Sequence, residues 1–108
     1  MARYKVLLVC AVGMSSGLLE TATIEAARKR GHELDIHATS AALIIYSVDF
    51  AAYPVDMVLI APQVRFAQRN IRRVVEPLGI VVDVIDPTTY GMVDGDKLFD
   101  QIVQGAPR

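Results

Sequence analysis

Cys10 is the chain's single cysteine. It stands where the apolar run Val6-Leu7-Leu8-Val9 gives way to the small-residue segment Ala11-Val12-Gly13-Met14-Ser15-Ser16-Gly17. The run predicts a fully buried strand, and the segment after it opens a helix. A strand's carboxyl end is the usual ligand side of a parallel sheet, and a helix amino end offers unpaired N–H donors and positive potential. Both effects favour a thiolate and a bound anion at one place. No charged side chain lies between Cys10 and Leu19, so the backbone amides of a loop containing Gly13 and Gly17 are left to face the anion. A nest of amides suits phosphate.

Other chemistries find less support. The loop has neither a lysine nor the Gly-x-x-x-x-Gly-Lys spacing of a nucleotide-binding P-loop, and the three-glycine dinucleotide fingerprint is missing. A lone cysteine cannot do dithiol redox work, and with His32 and His37 it makes no zinc-ligand spacing. Neither a metal nor an organic cofactor is expected. Taken alone, a lone cysteine is most simply a small hydrophobe at the end of a core strand. Two glycines and two hydroxyl residues immediately before a helix weigh against that reading, because a merely structural turn rarely needs them.

The elements that would position this loop alternate along the chain. Tyr4 to Val9 reads as the first strand, and Ser16 to Arg30 as a helix with Leu18, Ala22 and Ala26 at helical spacing and Gly31 as its stop. Glu33 to Thr39 alternates polar and apolar residues, as an edge strand does. Ser40 to Tyr53 is compatible with strand or helix and is assigned as helix, with Ser40 as cap and the Ile44–Ile45–Tyr46 stretch in the core. Met57 to Ile60 is a buried strand ended by Ala61-Pro62. A helix from Phe66 to Leu78 follows, with Ala67, Ile71, Val74 and Leu78 on its core face and Arg65, Arg69, Arg72 and Arg73 opposite, a charged face open to a partner. Ile80 to Ile85 is the fourth strand, Asp86-Pro87 and Tyr90-Gly91 are turns, and Asp94 to Val103 is the last helix.

This order predicts an α/β fold: a four-stranded parallel open sheet with helices on both faces, in one domain spanning residues 3–106. Cys10, the Ala61 to Arg65 segment and the Asp86 to Gly91 segment then follow strand ends on one edge and ring a crevice, with Pro62, Gln63, Arg65, Asp86 and Tyr90 as its candidate residues. At 108 residues the chain can bury one core. Eleven basic against twelve acidic residues, with no polybasic block, argue against nucleic acid as a partner. No apolar stretch approaches the roughly 20 residues of a membrane helix, no signal peptide is visible, and one cysteine excludes an internal disulfide. A soluble, cytoplasmic protein is expected. His32, after a helix-stopping glycine, and His37, on the alternating strand, are read as surface residues.

At three places the residues resemble a known family. Cys10-Ala11-Val12-Gly13-Met14-Ser15-Ser16 with Leu18-Leu19, Asp56 to Phe66 with its Ala61-Pro62-Gln63, and Val84-Ile85-Asp86 with Tyr90 to Gly95 are similar to the enzyme IIB component of the bacterial sugar phosphotransferase system, lactose/cellobiose class. The likeness covers nearly the whole chain and is weakest from Ala41 to Tyr53. Gly17 stands where that family often has a hydroxyl or another small residue. The resemblance implies a phosphoryl carrier. Cys10 would accept the group from a phosphohistidine of enzyme IIA and pass it to a sugar, a β-linked disaccharide or β-glucoside, taken up through membrane component IIC. Amides of Val12 to Gly17 would stabilise the equatorial oxygens without a metal.

The nearest rival is a low-molecular-weight tyrosine phosphatase, whose strand-Cys-loop-helix and late Asp-Pro are similar. Such enzymes need an arginine six residues after the cysteine, where this chain has Ser16, so the bidentate clamp on phosphate is missing. A non-catalytic regulatory module is the other alternative.

Overall fold

The computed structural model describes residues 3–11, 16–47 and 49–106. Four strands, β1 (Arg3–Cys10), β2 (Glu33–Ser40), β3 (Met57–Ile60) and β4 (Val81–Val84), form one sheet in the order β2-β1-β3-β4. Every pairing is parallel. The helices α1 (Ser16–Lys29), α2 (Ala41–Ser47) and α3 (Gln68–Val75) make the connections, with 3-10 turns at Pro62–Ala67 and Glu76–Leu78, and α4 (Pro87–Gly91) and α5 (Gly95–Gly105) follow the last strand.

The sheet separates two apolar clusters because successive strand residues point to opposite faces. Tyr4, Val6 and Leu8 join Leu19, Ala26 and Ala27 of α1 and Leu98, Phe99 and Ile102 of α5. Leu7 and Val9 join Ile44 of α2, Val64, and Ile71 and Val75 of α3. Central strands β1 and β3 are covered on both faces, which is why Val6 to Val9 and Met57 to Ile60 read as unbroken apolar runs. In β2 only Ile36 is buried, as befits the edge. The other edge, β4, is tended by Gln101, whose Nε2 donates at 2.9 Å both to Asp83 Oδ2 and to the Val84 carbonyl.

Helix boundaries follow local chemistry. Gly31 takes φ 77° and closes α1, and Gly79 takes φ 79° before β4. Ser40 Oγ accepts the Leu43 N–H at 3.2 Å and caps α2, which is shorter than the 40–53 span expected from sequence. The described side chains of that stretch include Ile44, which is core; those of Ile45 and Tyr46 lie outside them. α1 and α5 cross so closely that a Cβ on Gly95 would collide with the Ala22 carbonyl.

Three expectations need correction. The inner face of the third helix is Val64, Ile71 and Val75, while Val74 is partly exposed and Leu78 is exposed. One continuous α-period from 66 to 78 puts Val74 and Leu78 inside. The segment is in fact 3-10, then α, then a 3-10 turn around Pro77, and each change of pitch rotates the face that follows. Asp86-Pro87 and Tyr90-Gly91 are not two turns but the cap and body of α4: Asp86 Oδ2 accepts the N–H groups of Thr88 (3.1 Å) and Thr89 (3.2 Å), and Pro87 occupies the first helical position. His32 is half-buried, edge-on to Tyr4 at 5.9 Å and 5.8 Å from the Phe99 ring, rather than a plain surface residue.

Candidate functional site

Cys10 is the last residue of β1, fully buried, with Sγ donating to the Thr39 carbonyl at 3.6 Å. It packs in the α2/α3 cluster with Val9, Ile60 and Ala61. The strand ends beside it are in step. The Ala61 N–H donates to the Val9 carbonyl at 2.7 Å, and the Ile85 N–H to the Ile60 carbonyl at 2.8 Å. All four strands therefore leave the sheet along the same edge as Cys10.

The strand order supplies the reason a site belongs here. From β1 the chain steps outward to β2 and then returns past β1 to β3, so the direction of winding reverses between β1 and β3. The connections leaving these two strands go to opposite faces, α1 to one and α3 to the other, and open a crevice between them. Cys10 and the Pro62 to Arg65 turn border that reversal.

The predicted loop residues divide accordingly. Ala11 is exposed immediately after the cysteine; Val12, Gly13, Met14 and Ser15 lie outside the described residues; α1 begins at Ser16, whose side chain also lies outside them, and Gly17 is half-buried in its first turn. A Cβ at Gly17 would meet nothing within 4 Å, so its small size is not dictated by a packed neighbour. Helix α1 is further tied through Thr23 Oγ1, buried, which donates to the Leu19 carbonyl at 2.6 Å.

The crevice residues are not equivalent. Pro62, Gln63 and Arg65 follow β3, the immediate neighbour of β1; Gln63 and Arg65 are exposed, and Val64 between them is the buried anchor. Asp86 and Tyr90 follow β4, two strands from Cys10, a separation of about 10 Å at the usual strand spacing. Asp86 Oδ2 is occupied as a helix cap, and half-buried Tyr90 packs against both apolar clusters.

The opposite flank holds two groups that sequence reasoning missed. In register Cys10 faces Ser40, and Thr39 supplies the carbonyl that accepts the thiol's hydrogen bond. Glu20, on the second turn of α1, accepts a hydrogen bond from the Ala38 backbone and lies in the field of His37. Burial nonetheless holds the Glu20 carboxyl above its ordinary value, with His37 and Ala38 pulling the other way. His37 itself pairs with Asp35 at 2.7 Å. The signal that could have found Thr39 is topological: a strand–helix–strand unit sets its second strand beside its first. Among the described residues no three His, Cys, Asp or Glu side chains gather as a metal site, and no helix is long and apolar enough to cross a membrane.

A doubly covered parallel sheet with a cysteine at the carboxyl end of a central strand and a helix opening six residues later places the chain among open-sheet α/β domains with a strand–loop–helix junction at the reversal of winding. Residues 5–101 match the family described as PTS system, Lactose/Cellobiose specific IIB subunit, and the chain belongs to that family: it is a sugar-specific IIB component of the phosphotransferase system. It is 37% identical over 97 residues to the oligo-beta-mannoside-specific EIIB component of Bacillus subtilis, covering 90% of each chain. It is 36% identical over 100 residues to the galactose-specific EIIB component of Lactococcus lactis subsp. cremoris, covering 92% of this chain and 93% of that one. The fold is shared with the lactose-specific IIB domain of Streptococcus pneumoniae, at a TM-score of 0.77 and 23% identity over 95% and 97% of the two chains.

Proposed function

We propose that Cys10 is the phosphorylated residue of a cytoplasmic protein-phosphocysteine–sugar phosphotransferase, carried by a single domain over residues 3–106. It receives the phosphoryl group from a phosphohistidine of enzyme IIA and gives it to a β-linked disaccharide or β-glucoside handled by membrane component IIC. The observation that carries this reading is the position of Cys10, the only thiol in the chain, at the carboxyl end of a central strand beside the topological reversal.

In the first step the Cys10 thiolate attacks phosphorus in line. The S–P bond forms as the P–N bond to the histidine breaks, and the imidazole nitrogen keeps the electron pair. In the second step a sugar hydroxyl oxygen attacks phosphorus, the S–P bond breaks with its electron pair staying on sulfur, and the hydroxyl proton passes to the departing thiolate or to water. The amides of residues 11–17, together with the positive end of α1, are assigned to the phosphoryl oxygens. Pro62, Gln63 and Arg65 form the neighbouring wall. Thr39 has the complementary task of holding the protonated sulfur, since its carbonyl accepts from S–H and repels a thiolate or a phosphoryl oxygen.

Hydrolysis is disfavoured on two grounds. Ser16 occupies the place where a phosphatase needs arginine, and Asp86, the acid such an enzyme would use, is engaged as the cap of α4.

The test is a reconstituted relay with the IIA and IIC partners. Wild-type chain should form an acid- and iodine-sensitive thiophosphate and pass it to sugar, and Cys10→Ser should abolish both. Sugar phosphorylation that survives in Cys10→Ser would overturn the assignment.

A further inference from the structure

Phe66 is the most exposed large apolar residue described, at 79%, and it stands in the turn that leaves β3 on the Cys10 edge. Arg69 and Arg73 lie three and seven residues on, which places them along the same outer face as the segment winds into α3. Arg65 precedes the ring, with Nη1 3.5 Å from the Pro62 carbonyl. Four of the chain's eleven basic residues fall within these nine positions, although the whole chain has a net charge of -1. Arg72 is tied to Glu76 at 3.0 Å, whereas Arg65, Arg69 and Arg73 form no salt bridge among the described residues. The inner face of this segment is already used by Val64, Ile71 and Val75. Among the described residues Phe66, Arg69 and Arg73 thus make no contact that ties this face to the rest of the fold, and Arg65 is held only by its own turn.

We infer that Phe66, Arg65, Arg69 and Arg73 form the docking surface for the phosphoryl donor, a protein that offers an acidic surface around an apolar recess. The inference rests on the relay role proposed for Cys10. Aromatic and arginine side chains are the types enriched at the centres of protein interfaces, and an aromatic ring ringed by cations fits a recess with an anionic rim. Charge complementarity also favours the phosphorylated donor over its spent form, because a phosphoryl group adds negative charge beside the place where Arg65 begins the stripe. A relay needs fast, brief encounters, and exposed charge raises association rates more than affinity. The stripe starts on the wall next to Cys10, so a partner seated on Phe66 overhangs the crevice.

The experiment compares wild type, Phe66→Ala and the double variant Arg69→Glu/Arg73→Glu, each checked for native circular dichroism. Two readouts are taken at low and high salt: transfer of labelled phosphate from phosphorylated IIA, and the affinity of IIA for the same surfaces on a Cys10→Ser background. Charge reversal should slow transfer tenfold or more at low salt and much less at high salt, because exposed charges are screened over about 8 Å at physiological ionic strength. Phe66→Ala should weaken both readouts at either salt. If wild type takes no label but the Cys10→Ser chain binds IIA through these residues, the relay reading fails and the docking surface stands. Variants that match wild type in both readouts overturn the docking surface. So does binding of wild type to phosphatidylglycerol vesicles that is lost in the double variant while exchange with IIA is untouched, since the stripe would then be a membrane contact.

Discussion

Cys10 and Thr39 are joined across the β1–β2 pair by a thiol-to-carbonyl hydrogen bond of 3.6 Å, so the sulfur is anchored to the strand beside its own rather than pointing to solvent. A carbonyl can hold S–H but not a phosphorylated sulfur, which has no proton to donate. Phosphorylation should therefore release Thr39. The carbonyl carbon resonance of Thr39 should move on conversion to the phosphorylated form while that of buried Leu8 stays in place. A Thr39 signal that does not respond would mean that the sulfur never leaves this contact, and Cys10 would not be the acceptor.

Gly95 and Gly105 should respond unequally to alanine. At Gly95 a Cβ would run into the α1 backbone at the Ala22 carbonyl and the Thr23 nitrogen, and α1 and α5 could accept it only by moving apart. At Gly105 the obstacle at 2.6 Å is the terminal methyl of Met57, which can turn away. Urea denaturation should show Gly95→Ala losing about 2 kcal/mol or more and Gly105→Ala about 1 kcal/mol or less. Equal losses would refute the tight crossing of the two helices.

Asp86 offers a test between the proposed carrier and a hydrolase. As a helix cap, its replacement by alanine should cost about 1 kcal/mol of stability, and Asp86→Asn, which keeps an acceptor oxygen, should cost little. Neither change should alter phosphoryl transfer, and wild type should release negligible p-nitrophenol from p-nitrophenyl phosphate. Rapid release dependent on both Cys10 and Asp86 would restore the phosphatase reading, with Asp86 as general acid.

Glu20 predicts a pH effect of definite sign. Its carboxyl is raised in the folded chain by burial, so the native state holds this proton more tightly than the unfolded state does. Stability from this group is then greatest at low pH and falls as pH rises from the ordinary carboxylate value, about 4.3, through the raised native one. Glu20→Gln keeps an oxygen for the Ala38 N–H and removes the titration. The melting temperature of wild type should drop relative to Glu20→Gln across that window, and His37→Ala should steepen the drop by removing the neighbouring positive charge. A constant difference between wild type and Glu20→Gln from pH 4 to 7 would rule the effect out.

Much of this architecture was legible in the residue order. Unbroken apolar runs identify β1 and β3 as central, the alternation of Glu33 to Thr39 identifies the edge, and Gly31, Gly79 and the Ser40 cap mark their boundaries. The third helix was less legible because hydrophobic periodicity assumes one pitch, and the 3-10 turns on either side of α3 shift the inward position from Val74 to Val75. α4 was hidden because Asp-Pro serves equally as a strand stop and as a cap followed by a first helical residue. At the site, Cys10 and the wall after β3 follow from local pattern. Thr39 and Glu20 do not, because Thr39 reaches Cys10, and Glu20 reaches Ala38, only through the lateral placement of β2, which local periodicity does not encode.

The side chain of Gln101 has a consequence for life in a crowded cell. An open sheet ends in a row of unspent backbone groups, a template on which a second chain can add a strand and begin aggregating. On β4 that template is defaced: the Val84 carbonyl is already bonded to Gln101, and Asp83 sets a carboxylate on a strand only four residues long. A newcomer would find little to copy along β4.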